Sequence, residues 1–509
     1  PPPAEEPRVR FGGRRKRPYD GAMLHVSAMS YGSLSRNAIL ALNEGARRGG
    51  FAHNTGEGGL SPYHLEPGGD LIWQIGTGYF GCRNARGGFD LGAFRERASH
   101  PHVKMIEVKL SQGAKPGHGG ILPAVKVTQE IATIRGVPMG QDVLSPPAHT
   151  AFRTPLQLMQ WLDDLREAAD GKPVGIKLCV GDPVELLALG KAIVRHGDGP
   201  DYIAVDGGEG GTGAAPLEFS NRVGTPLREG LIAVRNLLVG LGLDDRIRVV
   251  ASGKSITGFH LFRLRALGAD VAASARGMMF ALGCIQARRC NSNECPVGVA
   301  TQNAALVHGL DVPDKAARVT SYQHETVHAF LELLGAAGLQ RPEEIRPHHV
   351  RRRVDGVVTK HYGELYDWLG SGQLLEAPET TPWAREWNEA DPERDAAGPA
   401  ARVYGQRMSA ELERLFPDAS YALRIAARGE HIERWTSPRS AYPEGREGYL
   451  AWRRDLGAFH AARVGALMAE AGYDAETIAA TGRMLRKEGI KRDAEVQALE
   501  DVICFTFLR

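Results

Sequence analysis

Six cysteines are all that the 509 residues contain, and three of them, Cys82, Cys179 and Cys504, stand alone. So sparse a set cannot staple the chain as a disulfide framework, and an intracellular chain keeps such thiols reduced. Charge of one sign is also missing. Lys and Arg number 62 against 60 Asp and Glu, so no broad field calls for nucleic acid or a membrane surface. Behind the basic residues of the opening PPPAEEPRVRFGGRRKRPYDG comes no apolar run, so neither a signal peptide nor a spanning helix is visible and a cytoplasmic location is expected. Residues 1–20 read as an amino-terminal arm, with the run Arg14 to Arg17 solvated. A start on three prolines is compatible with a fragment or a trimmed chain and leaves room for elements upstream. Finally, no G-x-G-x-x-G turn follows the first strand-like run, which argues against a doubly wound open sheet and against a nicotinamide site.

What remains is ordinary for a globular chain: 43% hydrophobic and 24% charged residues. The length exceeds one core and predicts a large domain with a smaller one. Short β-type runs alternate with amphipathic helical stretches. Eight runs precede residue 280: LHVSAM, FAHNTG, LIWQIG, MIEVKL, VGIKLC, YIAVDG, IRVVASG and DVAASARG. Helical periodicity lies between them, over 156–169, 183–196 and 227–241. Eight strands with helical crossovers predict an α/β (β/α)8 barrel with its site at the carboxyl ends of the strands.

Past the eighth run, Cys284, Cys290 and Cys295 crowd into GCIQARRCNSNECPVGVATQ. Their C-x5-C-x4-C spacing is not the paired C-x-x-C of structural zinc. Three thiolates from one loop suit a cuboidal [3Fe-4S] cluster with one iron vacant, loose structural thiols being the bland alternative. The loops after runs seven and eight, around Ser252, Gly253, Ala275 and Arg276, offer backbone amides and a helix start to a phosphate monoester. Phosphate beside a low-potential cluster suggests flavin mononucleotide. Lys177, in GIKLC, could compensate the negative charge of the reduced flavin ring, or pair with Asp206 or Glu107. Run six ends in the glycine-rich Asp206 to Gly213, including Gly208, and run two ends in HNTGEGG. Both let a flat ligand approach the backbone closely.

With SAMSYGSLS, NTGEGG, IWQIGTGYFG, EVKLSQGAKPGHGG, DVLSPPAH, GIKL, VDGGEGGTGAAP and CPVGVATQ in order, residues from about 20 to 370 resemble the flavin-binding synthase domain of glutamate synthase, in the short form without the amidotransferase. The resemblance implies that Met29 and Ser30 lie beside the flavin mononucleotide, that Gln74 bonds its ring, that Lys177 compensates its reduced charge, and that Gly253 with Arg276 lines its phosphate. It implies 2-oxoglutarate or a related oxoacid as substrate, with Lys115 and Arg135 for the carboxylates and Gln112 supplying an amide. Glu57 becomes the acidic group near the reacting carbon, a structural cap among glycines being its alternative. No nucleophilic cysteine domain precedes Met29, so glutaminase activity is not expected of this chain. Nitrogen then comes from ammonia, a small amine or a separate amidotransferase subunit, and electrons from ferredoxin or a reductase subunit. A homo-oligomer is also expected. His118 stands where the large enzymes often carry an acid, and His149 where relatives tend to pair histidines. Either change bears on the choice of oxoacid and amine, unless each is a packed loop residue.

Residues 376–401 are proline-rich, acidic and aperiodic, and read as a linker. Beyond them, 402–509 shows helical periodicity over 403–416, 419–435, 446–471, 475–489 and 494–508. This all-α module resembles an uncharacterised bacterial domain family that also occurs alone. His431, His460, Glu488, Glu500 and Asp501 fall on separate helices, faintly like the ligands of HD-type metal hydrolases. Without an adjacent His-Asp pair, histidines satisfied by neighbouring carboxylates are the expectation. Two function classes follow. One is a flavin and iron–sulfur oxidoreductase making glutamate, or an N-methylglutamate synthase-type enzyme using a small amine. The other is a regulatory or binding protein that keeps the cofactors.

Overall fold

The computed structural model describes residues 6–115, 119–210, 215–216, 218–393, 400–437, 439–490 and 492–507. Eight strands close into a barrel: Leu24–Val26, His53–Asn54, Leu71–Ile75, Val103–Lys109, Val174–Leu178, Tyr202–Asp206, Arg248–Ser252 and Val271–Ser274. Each pairs in parallel with the next in sequence, and the last closes on the first through Ala273 and His25. Every residue of Leu71–Ile75, Val174–Leu178 and Tyr202–Asp206 is buried, as expected where helices cover one face and barrel side chains the other. All eight strand-like runs of the sequence are therefore barrel strands. The helices Pro155–Ala168, Pro183–His196 and Leu227–Gly240 lie within a residue of the periodic stretches.

An antiparallel hairpin, Arg8–Phe11 with Tyr19–Ala22, precedes the barrel. Its Phe11 ring is fully buried and meets Tyr202 edge-on at 5.5 Å, at the amino-terminal end of the sixth strand. The opening segment is thus no free arm. Arg15 pairs with Asp198 at 2.6 Å and Asp201 at 2.5 Å, while Lys16 and Arg17 reach Asp170. These carboxylates lie far along the sequence, which is why the basic run looked solvated when read alone.

Between the fourth and fifth strands the chain makes a long excursion. It carries the small hairpin of Ile121–Leu122 with Val143–Leu144 and the helix Gln129–Arg135. The stretch expected to be an irregular linker contains a helix, Ala384–Glu389; its residues 394–399 lie outside the described residues.

By packing, the chain divides into two compact units. The first covers Pro1–Phe152, Gln157–Leu186 and Ile193–Ala384; the second covers Arg153–Leu156, Leu187–Ala192 and Arg385–Arg509. The second is helical: Ala400–Leu415, Tyr421–Gly429, Arg446–Glu470, Ala475–Leu485 and Ala494–Phe507. Its core includes Met408, Leu412, Leu423, Ala426, Val464, Leu485 and Leu499. The second of these helices ends at Gly429 rather than running to Trp435, because the chain turns there and Glu433 adopts a left-handed φ of 49°. Among the described residues, no helix is long and apolar enough to cross a membrane.

Candidate active site

At the carboxyl ends of the strands, the loops after strands one and two interlock. A side chain at Gly56, whose φ is 65°, would drive into the backbone nitrogen of Ser30 at 2.7 Å and the carbonyl carbon of Met29 at 2.9 Å. Glycine is required on both counts. Beyond it, Glu57 extends between two glycine backbones. A Cβ at Gly120 would sit 2.6 Å from Glu57 Oε1, and one at Gly76 would also strike the carboxylate.

Three cations act on that carboxylate, and the Gln112 amide holds one of them. Lys109 Nζ, at the end of the fourth strand, donates to Glu57 Oε1 at 2.8 Å and to Gln112 Oε1 at 2.9 Å. Lys115 and Arg135, both buried, act on Glu57 from farther away. Burial by itself would raise the Glu57 pKa, but the charges of Lys109, Lys115 and Arg135 outweigh it and hold the carboxyl below its ordinary range. Conversely, burial lowers Lys115, with Lys109 adding to the effect, and brings Arg135 down to about 10 against the pull of Glu57. Arg135 Nη2 donates to the Tyr31 carbonyl at 3.1 Å, and its guanidinium lies 5.0 Å from the Phe80 ring centroid. The four residues singled out for substrate, Glu57, Gln112, Lys115 and Arg135, therefore share one electrostatic neighbourhood. Its central member, Lys109, was missed. It lies in plain sight in the EVKLSQ run, but nothing local distinguishes it from a strand-end lysine.

His149 is packed beneath this group, its Nε2 2.9 Å from the Lys109 carbonyl and its Nδ1 3.2 Å from the Tyr79 hydroxyl. Burial pushes its pKa down to about 4. It is a neutral loop support. His118 lies outside the described residues, as do Gly211 to Ala214 of the glycine run.

Inside the barrel, a small cavity of about 20 Å³ is lined by Asn54, Glu107, Lys177 and Ser252 among others. Gln74 Nε2 and Asn54 Nδ2 both donate to Glu107 Oε1, at 2.7 and 2.8 Å. Lys177 Nζ is 3.7 Å from Asp206 Oδ2, and that oxygen accepts from the Gly113 amide at 3.0 Å. The lysine thus pairs with Asp206 while still facing the cavity. Gly208 bonds the 224–225 turn, donating to the Thr225 carbonyl at 2.9 Å.

After strand seven, Gly253 takes a positive φ of 151° and Lys254 a left-handed φ of 43°. The next helix, Gly258–Ala266, is capped by Thr257. After strand eight, Ala275 and Arg276 begin the helix Arg276–Ala281. A Cβ on Gly277 would meet the Tyr322 hydroxyl and, at 2.7 Å, Ser274 Oγ. The two loops are tied together by Ser274 Oγ donating to the Ser255 carbonyl at 2.5 Å.

Cys284, Cys290 and Cys295 follow that helix directly, and all six cysteines are free. Burial raises the Cys290 pKa, and Cys284 and Cys295 raise it further. The three sulfurs therefore lie within electrostatic reach of one another. Lys126 is buried against this loop, donating to the carbonyls of Cys290 at 2.6 Å, Ala300 at 2.9 Å and Ser33 at 3.0 Å. Its burial lowers it to about 8, with Cys290 and Cys295 opposing. Sequence reading missed it too, because its partners are backbone atoms distant in the chain. Among the described residues, no group of three or more His, Cys, Asp or Glu is arranged to hold a metal ion.

Residues 21–340 match the family described as the conserved region in glutamate synthase, and residues 380–509 match a domain of unknown function, DUF4202. The glutamate synthase large subunit-like protein YerD of Bacillus subtilis is 42% identical over 342 residues, covering 67% of this chain and 65% of its own length. The archaeal glutamate synthase [NADPH] of Methanocaldococcus jannaschii is 37% identical over 337 residues, 66% of this chain and 62% of its own. The chain thus spans less than two thirds of these relatives. A crystal structure of mandelate oxidase aligns over 68% of this chain and 84% of its own at 15% identity, with a TM-score of 0.40, too loose a likeness to bear on function.

Proposed function

The chain belongs to the family of the conserved region in glutamate synthase, and from that premise we propose that it is a flavin mononucleotide-dependent oxidoreductase that reductively aminates 2-oxoglutarate or a related oxoacid. The observation that carries the reading is the Glu57 carboxylate held ionised among Lys109, Lys115 and Arg135 at the mouth of the barrel. Such a grouping provides cations for a dicarboxylate and a proton-handling group in one place.

The reading of a bound flavin is supported by Lys177 facing the barrel cavity, and the loops at Gly253, Ala275 and Arg276 would receive its phosphate through their amides. Met29, Ser30 and Gln74 would flank and bond the ring, with Asp206 and Gly208 shaping its far side. Cys284, Cys290 and Cys295 would ligate a [3Fe-4S] cluster. When bound, the flavin supplies hydride and the cluster carries single electrons from ferredoxin or a reductase subunit.

The chain's own residues do the rest. Lys115 and Arg135 anchor the substrate carboxylates. Because burial weakens their hold on their protons, an arriving dianion strengthens both charges, so binding is favoured over leaving the pocket empty. Glu57 accepts a proton from the attacking amine and returns one as water departs from the carbinolamine. Lys109 keeps that carboxylate ionised between turnovers, and Gln112 fixes the ammonium in place. Lys177, with Asp206 behind it, places positive charge in the cavity. The 21–375 barrel is the catalytic domain on this reading, and 402–509 a separate helical domain.

The test is anaerobic photoreduction of the flavin-loaded protein, followed by a screen of oxoacids with ammonia and methylamine. A matched pair should reoxidise the flavin and give one amino acid. Reoxidation by no pair would remove the proposal.

A further inference from the structure

The helical unit contains a charged cluster of its own. Glu430, just past the helix Tyr421–Gly429, is buried, and its carboxylate accepts from Lys487 Nζ at 3.2 Å. The same ammonium lies 2.8 Å from Glu500 Oε1 on the last helix. The next residue, His431, stacks on Tyr404 with ring centroids 3.6 Å apart and planes at 12°. Its Nε2 is 2.8 Å from Arg434 Nη1, and the Arg434 guanidinium lies 5.2 Å from the Trp452 ring centroid. Arg453 and His460, two turns apart on the helix Arg446–Glu470, present to the same place. Arg453 acts electrostatically on Glu430, His431, Arg434 and His460.

This corrects the expectation for the module. Among the described residues, neither His431 nor His460 hydrogen-bonds a carboxylate; Glu430 and Glu500 are instead paired with Lys487. Glu488 instead pairs with Arg486 at the surface, and Asp501 accepts from Gln497. The metal reading also fails among the described residues.

Two valences are left open. His460 is 2% exposed and its Nε2 has no partner, a costly state for a buried polar atom. Arg453 has no hydrogen-bond or ion-pair partner among the described residues. Around them stand three cations, Arg434, Arg453 and Lys487, against the two carboxylates of Glu430 and Glu500. Burial and these cations keep both imidazoles neutral. Glu393 adds a negative charge near Arg434, but it is exposed and screened by solvent. The cluster has a surplus of positive charge and of donors.

From this geometry we infer that the cluster is the seat of a phosphate group, received by the guanidinium groups of Arg453 and Arg434 and by the free nitrogen of His460. Two guanidinium forks and an imidazole N–H offer more donors than one carboxylate can accept, and match the three oxygens and double charge of a phosphate. Lys487 offsets one of the two negative charges of Glu430 and Glu500, and burial, which raises the Glu430 pKa, weakens the repulsion left for the anion. The ligand is inorganic phosphate or a small phosphate monoester, and the module is a metabolite-binding site independent of the barrel reaction.

The experiment is calorimetric titration of the full chain loaded with flavin mononucleotide and then freed of unbound flavin, so that any phosphate seat in the barrel is filled and no free monoester competes at the helical cluster. Inorganic phosphate, glycerol 2-phosphate and 2-oxoglutarate are titrated separately into wild type, Arg453→Ala and His460→Gln. One saturable site for either phosphate, weakened roughly tenfold or more by Arg453→Ala, supports the inference, and the tighter of the two identifies the source. His460 imidazole NMR signals should move with phosphate in wild type and stay still in Arg453→Ala, a readout that needs no stability change. Absence of saturable binding, binding indifferent to Arg453→Ala, or tighter binding of 2-oxoglutarate at this site would overturn it.

Discussion

Replacing Lys109 by methionine removes the one cation that, among the described residues, is in direct contact with Glu57. The pair is 2.8 Å apart, with side chains 12% and 18% exposed. At an effective dielectric of about 20, such a contact has a gross attraction of roughly 6 kcal/mol, most of it consumed in desolvating both ions. Breaking a fully buried pair costs about 3–5 kcal/mol. Here Lys115 and Arg135 still act on the carboxylate, so we expect about 1–3 kcal/mol at neutral pH. The sign with pH follows from Glu57, whose folded pKa is lowered. Its stabilisation is present above the unfolded carboxyl pKa of about 4.3 and is lost as pH falls through the folded value. Lys109→Met abolishes much of that contribution, so the gap between wild type and variant in urea unfolding should be full at neutral pH and shrink on acidification through this range. The acid limb of kcat/KM should also move to higher pH, because Glu57 becomes easier to protonate. A gap equal at neutral and acid pH, with an unmoved acid limb, would refute the argument that Lys109 acts by holding Glu57 ionised.

Cys290→Ser should remove the broad visible absorbance of an iron–sulfur centre while leaving the flavin bands, checked by the spectrum of anaerobically purified protein. Gly277→Ala should cost about 1–3 kcal/mol through overpacking and weaken flavin retention, since the added methyl meets Tyr322 and Ser274; fluorescence of released flavin measures it. Lys126 is lowered to about 8, so between there and its unfolded value of about 10.4 the unfolded chain binds the extra proton and stability rises with pH. Lys126→Met should flatten that rise, read from unfolding midpoints across the alkaline range.

The barrel was legible because its signals are local. Runs such as YIAVDG and IRVVASG combine β-branched burial with a glycine stop, and their spacing admits only crossovers. The site residues on those motifs, from Glu57 to Arg276, were legible as positions but not as partners. Lys109 and Lys126 escaped because what distinguishes them is a contact made across the fold: a carboxylate on another strand's loop, three backbone carbonyls from separate segments. Arg15 was misjudged for the same reason, its acids lying at 198 and 201.

By itself the sequence determined the eight strands, the parallel closure they imply, the helical module and the crowding of three thiols in one loop, since each depends on periodicity or short-range spacing. Only the tertiary structure decided the charge states. Whether Glu57 is ionised, whether Lys487 spends its charge on Glu430 and Glu500, and whether His460 keeps a nitrogen free all depend on which distant groups share a desolvated space. Electrostatic energy in that space follows separation in three dimensions rather than separation along the chain.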